Sequence, residues 1–291
     1  MKVGAIYPQT ELGGDPDAVR RIAMAVETLG YDHLLAFDHV LGAVHEGRTP
    51  PLWGPYDEED PFHDPFVLFA YLAGRTERLG FVTGVLILPQ RQTALVAKQA
   101  TDLALLSGDR FRMGVGVGWN PVEYHGLGQD FASRGARIEE QIDLLRRLWR
   151  EPVVTFEGRF DAIDRAASIP RPTHAIPIWM GGWVDAALRR AARLGDGFIF
   201  AGTADAVETQ WTRLRSLLDE QGRPIDSFGA EAMIGPLADP LEAARAVERW
   251  ASVGGTHAAV LTMALGLDSV DAHIDYLGTV AEALGELVAP A

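Results

Sequence analysis

The sequence predicts an α/β fold, a (β/α)8 TIM barrel, and three observations support this prediction. Short apolar runs alternate along the chain with longer amphipathic segments. The alternation repeats eight times, which is the number of parallel strands that closes a barrel of this kind. The chain has 291 residues, and this length suits one large barrel with extensions better than a small domain.

The predicted strands are short apolar runs, most of which follow a glycine. Gly30, Gly108 and Gly195 stand where a helix ends, and glycine there supplies the left-handed conformation that turns the chain back. The run 229–234 is the least typical strand, because Glu231 lies in its middle. The predicted strands cover residues 2–7, 32–37, 80–87, 111–117, 176–181, 197–201, 229–234 and 257–262.

The amphipathic segments between these strands predict helices. Asp15, Asp64 and Asp239 are each followed by Pro, the pattern of an N-cap before a proline at the first helical position. Inside the segments, apolar residues such as Ile22 and Val26 recur on one helix face. The predicted helices cover residues 15–29, 65–77, 92–107, 134–149, 184–194, 204–221, 239–253 and 269–285.

Two connections are longer than the others. Residues 38–64 are predicted to form a lid over the barrel mouth, and residues 150–175 a small hairpin followed by an extended segment. No low-complexity linker divides the chain, so a single domain over residues 1–291 is expected. Four side chains of the first loop could shape a substrate pocket, although each alone is better explained by lid packing or solvent exposure: His45, Trp53, Tyr56 and His63.

The composition excludes several classes of function. With 26 basic and 40 acidic residues the formal net charge is −14, which argues against nucleic-acid and anionic-membrane partners because both require clustered Lys and Arg. The absence of Cys excludes disulfides, thiolate nucleophiles and Cys-based zinc sites. The eight His residues lack the spacing of a metal site, so no metal is expected.

The apolar runs are all shorter than the roughly 18 residues that a membrane span requires. The N-terminal run 2–7 is also too short for a signal peptide and is better explained as a first buried strand. We therefore expect a cytoplasmic protein that acts on a small-molecule substrate.

A glycine-rich stretch follows the fourth predicted strand. It contains Gly114, Gly116 and Gly118, and it fails the dinucleotide fingerprint because Trp119 or Pro121 stands at the last position. A phosphate loop is excluded too, since Lys does not follow Gly118. A tight turn from strand to helix is a sufficient explanation for Gly114. It is a poorer one for Gly118 and Trp119, where close approach to a flat ligand is the alternative.

Five ordered blocks, most of them at predicted strand ends, resemble the luciferase-like monooxygenase family, and in particular its branch that uses the deazaflavin coenzyme F420. The similarity extends from Lys2 to about Phe200 and is specific for the family but much less so for the substrate. The blocks are Phe37-Asp38-His39-Val40, Thr83-Gly84-Val85-Leu86 with Leu88-Pro89 and Arg91, Gly114 to Trp119, Arg134-Gly135-Ala136-Arg137, and Gly181-Gly182 with Asp196-Gly197-Phe198.

The resemblance implies a bacterial-luciferase-like barrel, an oxidoreductase activity and, as the family commonly shows, a homodimer. The preferred interpretation is hydride transfer between coenzyme F420 and a small organic substrate. An FMN-dependent monooxygenase remains open, as does a flavin-binding barrel without activity. An unrelated barrel hydrolase would need clustered carboxylates at the strand ends, where Asp38 stands alone.

The resemblance also implies two catalytic residues. His39 corresponds to the family's histidine after the second strand, and a histidine can exchange a proton near neutral pH. Asp38 would orient its ring or hydrogen-bond the cofactor. Packing of His39 against a turn capped by Asp38 is the alternative. One position departs from the family: deazaflavin sugar-phosphate dehydrogenases have Glu where this chain has Trp119, which argues against sugar-phosphate oxidation.

Nine further residues are expected to contact the cofactor. A cis peptide bond between Gly84 and Val85 would form a bulge beneath the tricyclic ring, and Trp119 would form an apolar wall. Backbone N–H groups at the end of the fifth strand would bind the ribityl phosphate. Arg91 is better explained as a surface residue, and Glu123 and Tyr124 receive no catalytic role. The cofactor-binding set is Thr83, Gly84, Val85, Gly116, Gly118, Trp119, Met180, Gly181 and Gly182.

Overall fold

The structure is a computed structural model that describes residues 1–288. The last residues of the predicted domain, 289–291, lie outside the described residues. The strands are β1 Lys2–Ile6, β2 His33–Ala36, β3 Gly80–Thr83, β4 Leu86–Ile87, β5 Phe111–Gly116, β6 Val154–Glu157, β7 Ala162–Ala166, β8 Ile178–Gly181, β9 Gly197–Phe200, β10 Gly229–Ile234 and β11 His257–Val260. The helices are α1 Pro16–Thr28, α2 Pro65–Ala73, α3 Thr93–Ser107, α4 Pro121–Gly126, α5 Arg134–Arg150, α6 Asp185–Leu194, α7 Ala204–Glu220, α8 Pro240–Ser252 and α9 Val270–Leu284.

The strands form the predicted closed parallel barrel. The hydrogen-bonded order is β3-β2-β1-β11-β10-β9-β8-β5-β4, and a further pairing of β3 with β5 closes the circle. β3 and β4 are the two parts of one predicted strand, so the nine segments make an eight-stranded barrel. The continuous strand predicted over residues 80–87 is therefore wrong in detail, because the chain is interrupted at a cis peptide bond between Gly84 and Val85.

The unusual seventh strand is confirmed. β10 pairs in parallel with β9 on one side and with β11 on the other. Glu231 is completely buried, but it is compensated by Arg112, whose Nη1 lies 2.8 Å from Glu231 Oε2, and by His33. A charge in a barrel strand is tolerated when partners of opposite charge lie beside it.

The helix signals in the sequence are largely confirmed. The side chains of Asp15, Asp64 and Asp239 each accept a hydrogen bond from the first turn of their helix. Gly108 has the expected left-handed conformation with φ +69°, whereas Gly195 has φ −84° and turns the chain without it. The apolar stripes of α1 and α5 are buried against the barrel.

Apolar side chains form two layers. The larger layer fills the space between the strands and the surrounding helices. The smaller one lies inside the barrel and consists of Ile6, Leu35, Val82, Trp179, Ile199, Ala259 and Met263. Phe37, Val85, Met233 and Leu261 pack on this inner cluster and remain partly exposed. The barrel interior is therefore filled by side chains and leaves no room for a ligand inside it.

The two long connections differ. Residues 38–64 contain no helix or strand. The connection after α5 contains the predicted hairpin, in which β6 and β7 pair antiparallel. Among the described residues, no helix combines the length and apolar character that crossing a bilayer requires.

Candidate active site

The strand-three bulge brings three strands close together. The peptide bond between Gly84 and Val85 is cis, as the resemblance implies. A Cβ atom placed on Gly116 would lie 2.5 Å from Val85 Cγ2, and one placed on Gly181 would lie 2.8 Å from Val85 Cγ1. Glycine is therefore required on both neighbouring strands, because a side chain there would collide with Val85.

The side chain of Thr83 links β3 to β5. Its hydroxyl donates to the carbonyl oxygen of Gly114 at 2.7 Å, and the residue is completely buried. A Cβ on Gly114 would lie very close to the Thr83 carbonyl. Thr83 is therefore turned into the strand pairing, and its hydroxyl is not free to bind a ligand.

Asp38 is held by a buried ion pair. Its Oδ2 accepts from the backbone N–H of Ile87 at 2.9 Å, and its Oδ1 accepts from Arg91 Nη2 at 2.6 Å. Arg91 also donates to Asp64, the N-cap of α2, at 2.9 Å. The expectation of a surface position for Arg91 is wrong: its side chain is only 13% exposed, because two carboxylates draw it inward. Asp38 thus links the end of β2 to β4, the strand segment that follows the bulge.

His39 lies in an aromatic enclosure. Its ring centroid is 4.8 Å from that of Phe62, 5.2 Å from that of Tyr56 and 5.6 Å from that of Trp119. Only 10% of its side chain is exposed. The enclosure excludes most water from the imidazole, and this increases the strength of any electrostatic interaction that the ring makes.

The carboxylate beside His39 is Glu123, a residue to which sequence reasoning gave no role. Glu123 Oε2 lies 3.5 Å from His39 Nδ1 and accepts from Gln90 Nε2 at 3.0 Å, while Oε1 accepts from the backbone N–H groups of Val40 and Leu41. Burial alone would raise the pKa of Glu123, but the hydrogen bonds from His39, Gln90 and Val40 hold it below its usual value. Glu123 is therefore ionised at neutral pH and fixes the chain around His39.

A short helix places Glu123. α4 begins after Asn120, whose side chain accepts from the N–H groups of Val122 and Glu123. Asn120-Pro121 has the same cap-plus-proline pattern that identified three longer helices. The signal for α4 was thus present, but the helix is too short to show a face periodicity.

The corner at Gly118 and Trp119 joins the same site. Gly118 has φ +63°, and a Cβ there would lie 2.8 Å from Ile87 Cγ2. The Trp119 indole packs between His39 and His45, and it contacts Gly54 so closely that a Cβ on that glycine would overlap the ring. Trp119 therefore links the barrel rim to the long loop.

The end of β8 presents main-chain groups, not side chains, to the barrel mouth. Met180 is buried in the layer between barrel and helices, so only its main chain can reach the mouth. Gly182 has φ +150°, and the following Trp183 is 65% exposed. α6 then begins at Asp185 without a side-chain cap hydrogen bond at Val184.

The loop over residues 38–64 covers the histidine with some of its side chains. Tyr56 packs on His39, and its carbonyl oxygen lies 3.0 Å from His45 Nε2. His63 lies near Tyr7 instead, with ring centroids 6.5 Å apart, and Trp53 is 82% exposed. Tyr56 and His45 thus belong to the candidate site, whereas Trp53 extends into solvent.

The three places that the sequence singled out lie at one end of the barrel: His39, the Gly84–Val85 bond and the Gly118–Trp119 corner. Val85 contacts β5 and β8, Gly118 contacts Ile87, and Trp119 contacts His39. The described residues contain no group of His, Asp and Glu side chains arranged to hold a metal ion. Such a site supports proton exchange at an imidazole beside an apolar floor.

The model of the luciferase-like monooxygenase family matches residues 2–274. This match extends well beyond Phe200, where the recognisable sequence blocks end. An uncharacterised protein of Mycobacterium tuberculosis is 39% identical over 207 residues, which cover 69% of this chain and 72% of that protein. The F420-dependent glucose-6-phosphate dehydrogenase of Nakamurella multipartita is 29% identical over 219 residues, covering 73% of this chain and 61% of that protein.

Solved structures show the same fold. An F420-dependent secondary alcohol dehydrogenase, in complex with an F420-acetone adduct, superposes with a TM-score of 0.78 at 16% identity, covering 98% of this chain and 99% of the other. The EDTA monooxygenase of Chelativorans sp. BNC1 superposes with a TM-score of 0.77 at 15% identity, covering 100% of this chain and 95% of the other. With the family match and the eightfold barrel, these findings lead to one conclusion: the chain belongs to the luciferase-like monooxygenase family and is an oxidoreductase enzyme of that family.

Proposed function

We propose that this enzyme transfers hydride between coenzyme F420 and a small organic substrate. The observation that carries the proposal is the position of His39, whose Nδ1 lies 3.5 Å from the ionised Glu123, at the same end of the barrel as the bulge at Val85. When bound, F420 would supply or accept the hydride.

His39 is the group of this chain that is best placed to exchange the accompanying proton. An alcohol that loses a hydride from carbon also loses the proton of its hydroxyl group, and a ketone that gains a hydride gains a proton at oxygen. The carboxylate of Glu123, 3.5 Å from Nδ1, favours an orientation in which Nε2 is left to meet the substrate. Asp38 acts indirectly, because Ile87 and Arg91 already occupy its oxygens.

The residues at the mouth fit a flat tricyclic ring. Because Gly116 and Gly181 have no side chains, Val85 fits between their strands, and the bulge can contact a planar ligand from one side. Trp119 and the aromatic enclosure of His39 would border that ring. The N-terminus of α6 has no side-chain cap, so its first N–H groups are available to a phosphate. The same cradle would also accept FMN.

Several of the relatives favour the deazaflavin as the cofactor. Glucose-6-phosphate dehydrogenases that use F420, from Nakamurella multipartita and Intrasporangium calvum, are 29% and 33% identical to this chain. Their substrate need not be shared, since Trp119 stands where a Glu is implied for such enzymes.

The test is equilibrium binding of oxidised F420 and of FMN to the purified protein, followed by fluorescence. We expect F420 to bind at least about tenfold more tightly, a difference of about 1.4 kcal/mol. Replacement of His39 by Asn should leave F420 affinity nearly unchanged and lower kcat by about two orders of magnitude. Replacement of the exposed His174 by Asn is the matched control. Tight binding of FMN alone would overturn the proposal in favour of a flavin monooxygenase.

We also propose a homodimer that associates through α2 and α3. These neighbouring helices carry the exposed apolar side chains Val67, Tyr71, Leu95 and Leu106, and Leu106 is 77% exposed. Apolar groups of this kind favour association. Leu106→Glu should shift the sedimentation coefficient toward that of a monomer, whereas Leu241→Glu on α8 should not. A wild-type monomer at micromolar concentration would refute the homodimer.

A further inference from the structure

A cavity lies beside the ends of β9 and β10, next to α7 and α8. It has a volume of about 760 Å³ and lies between the beginning of α7, the face of α8 from Glu242 to Trp250, and the end of β10. This is within the range of pockets that enclose ligands of drug-like size. None of the residues discussed in the proposed function lines it, so it requires an explanation of its own.

The walls of this cavity are mostly apolar. Val207 of α7 and Trp250 of α8 form two sides, Ile234 of β10 lies at the base, and Leu237 of the loop before α8 closes one end. Three of these side chains are less than 8% exposed: Val207, Ile234 and Trp250. A cavity with such walls favours apolar groups, because its surface gains from contact that excludes water.

The charges at the rim balance one another. Glu208 and Glu242 stand against Arg245 and Arg249. Arg249 donates to Glu208 and to Asp205, each at 2.6 Å, so its guanidinium is already occupied. Arg245 is 61% exposed and lies within 4.0 Å of two carboxylates. The rim therefore has no cation in excess with which to bind a phosphate group.

Met233 belongs both to the lining of the cavity and to the inner barrel cluster. Its residue lines the cavity, and it also packs on the inner barrel cluster, on which Val85 packs as well. Gly202 and Gly235, which follow β9 and β10, also line the cavity, so a molecule in it reaches the rim of the barrel mouth.

We propose that this cavity binds the apolar part of an uncharged substrate, such as the alkyl chain of an alcohol or ketone. The proposal rests on the proposed function for the reacting end of that substrate. It disfavours a phosphorylated sugar as the substrate, because the arginines of the rim are already paired and no cation is in excess to offset the two negative charges of the phosphate.

The test uses the fluorescence of Nile red bound to the protein without cofactor. Decan-2-ol should displace the dye, isopropanol should do so far more weakly, and glucose 6-phosphate should have no effect. Full burial of an alkyl chain predicts a gain in affinity of about two- to fourfold per methylene.

Two variants locate the binding. Ala246→Trp places an indole in the cavity and should weaken displacement by decan-2-ol at least about tenfold. Ala283→Trp, on the exposed side of α9, is the control and should behave as the wild type. Equal affinities for decan-2-ol in both variants, or displacement by glucose 6-phosphate, would overturn the proposal.

This measurement is independent of the redox activity. If neither F420 nor FMN binds but Ala246→Trp still abolishes displacement, the cavity proposal stands and the proposed function fails. If F420 binds but chain length has no influence on affinity, the proposed function stands and the cavity proposal fails.

Discussion

The two ends of the barrel each contain a buried carboxylate beside an Arg or a His, but the surroundings differ. At the N-terminal end, Glu231 contacts His33 and Arg112, and the guanidinium of Arg112 lies 3.8 Å from the Trp179 ring centroid. At the C-terminal mouth, Glu123 lies beside His39, and Val85 packs on the backbone of Gly116 and Gly181. In the first cluster both carboxylate oxygens face basic side chains, whereas in the second one oxygen accepts from backbone N–H groups and the other lies beside the imidazole.

This difference indicates that the N-terminal cluster stabilises the fold, whereas the residues at the mouth serve the reaction. Burial alone would raise the pKa of Glu231, but Arg112 and His33 hold it well below its usual range, so the group is ionised and fully compensated. We therefore expect mutations at the N-terminal end to change folding, and mutations at the mouth to change turnover.

The largest effect is expected for Glu231→Ala. The substitution leaves Arg112 in a site without its counter-charge, and breaking a buried pair in this way costs about 3–5 kcal/mol. Urea denaturation followed by circular dichroism should show this loss, whereas kcat per folded molecule should be unchanged. Glu248→Ala, on the exposed side of α8, is the control. A loss below about 1 kcal/mol would contradict the stabilising role.

Glu123→Gln should have the opposite effect, a large loss of turnover with a smaller loss of stability. The amide keeps much of the volume but removes the charge beside His39, so kcat should fall by about two orders of magnitude. Stability should fall by only about 1–3 kcal/mol, since several hydrogen bonds can persist. The pH dependence of kcat should change in this variant, which a merely structural role would not produce. An unchanged pH profile would remove Glu123 from the proposed mechanism.

Gly116→Ala tests whether the space around Val85 is needed. The new methyl group would overlap Val85, which costs about 1–3 kcal/mol of stability or moves the bulge. Cofactor affinity should fall with it, as measured by fluorescence titration. Gly74→Ala has ordinary van der Waals space and φ −77°, so it should leave both quantities nearly unchanged. Full cofactor affinity in Gly116→Ala would show that the bulge does not contact the ring.

The smallest effect concerns acid stability at the N-terminal end. Burial, aided by Arg112, lowers the pKa of His257 to about 3. The unfolded chain therefore binds the proton first, and stability is lost as the pH falls below the ordinary histidine value of about 6.5. Between pH 7 and pH 5 we expect a loss of about 1–2 kcal/mol from this group.

His257→Asn should remove that part of the pH dependence, whereas His125→Asn on α4 should retain it. Glu231 adds a second loss only below the ordinary glutamate pKa of about 4.5, because its folded pKa is lowered. Identical denaturation profiles from pH 7 to pH 5 for His257→Asn and the wild type would contradict this assignment.

The fold could be read from the sequence because its signals are local. The Asp-Pro caps at residues 15, 64 and 239 and the apolar stripes depend on neighbours within one or two turns, and all are confirmed. The weak strand at 229–234 was identifiable from its place in the alternation. Its charge became intelligible only through Arg112 and His33, which are distant in sequence.

The site was predictable only in part. The resemblance placed the cis bond and His39, but it could not show which carboxylate lies beside the imidazole. Asp38 adjoins His39 in sequence and bonds to Arg91, whereas Glu123 follows 84 positions later and contacts the ring. Arg91 was likewise misplaced on the surface, since its two partners come from other segments.

The sequence by itself determined the alternation of strands and helices, the acidic character and the family, because caps, periodicity and ordered motifs are properties of nearby residues. Only the tertiary structure decided that Glu123 pairs with His39, that Val85 requires glycine on two adjacent strands, and that an apolar cavity lies beside Met233. These features depend on distances of a few ångströms between segments far apart in the chain. Barrel closure sets such distances, so patterns of neighbouring residues cannot predict them.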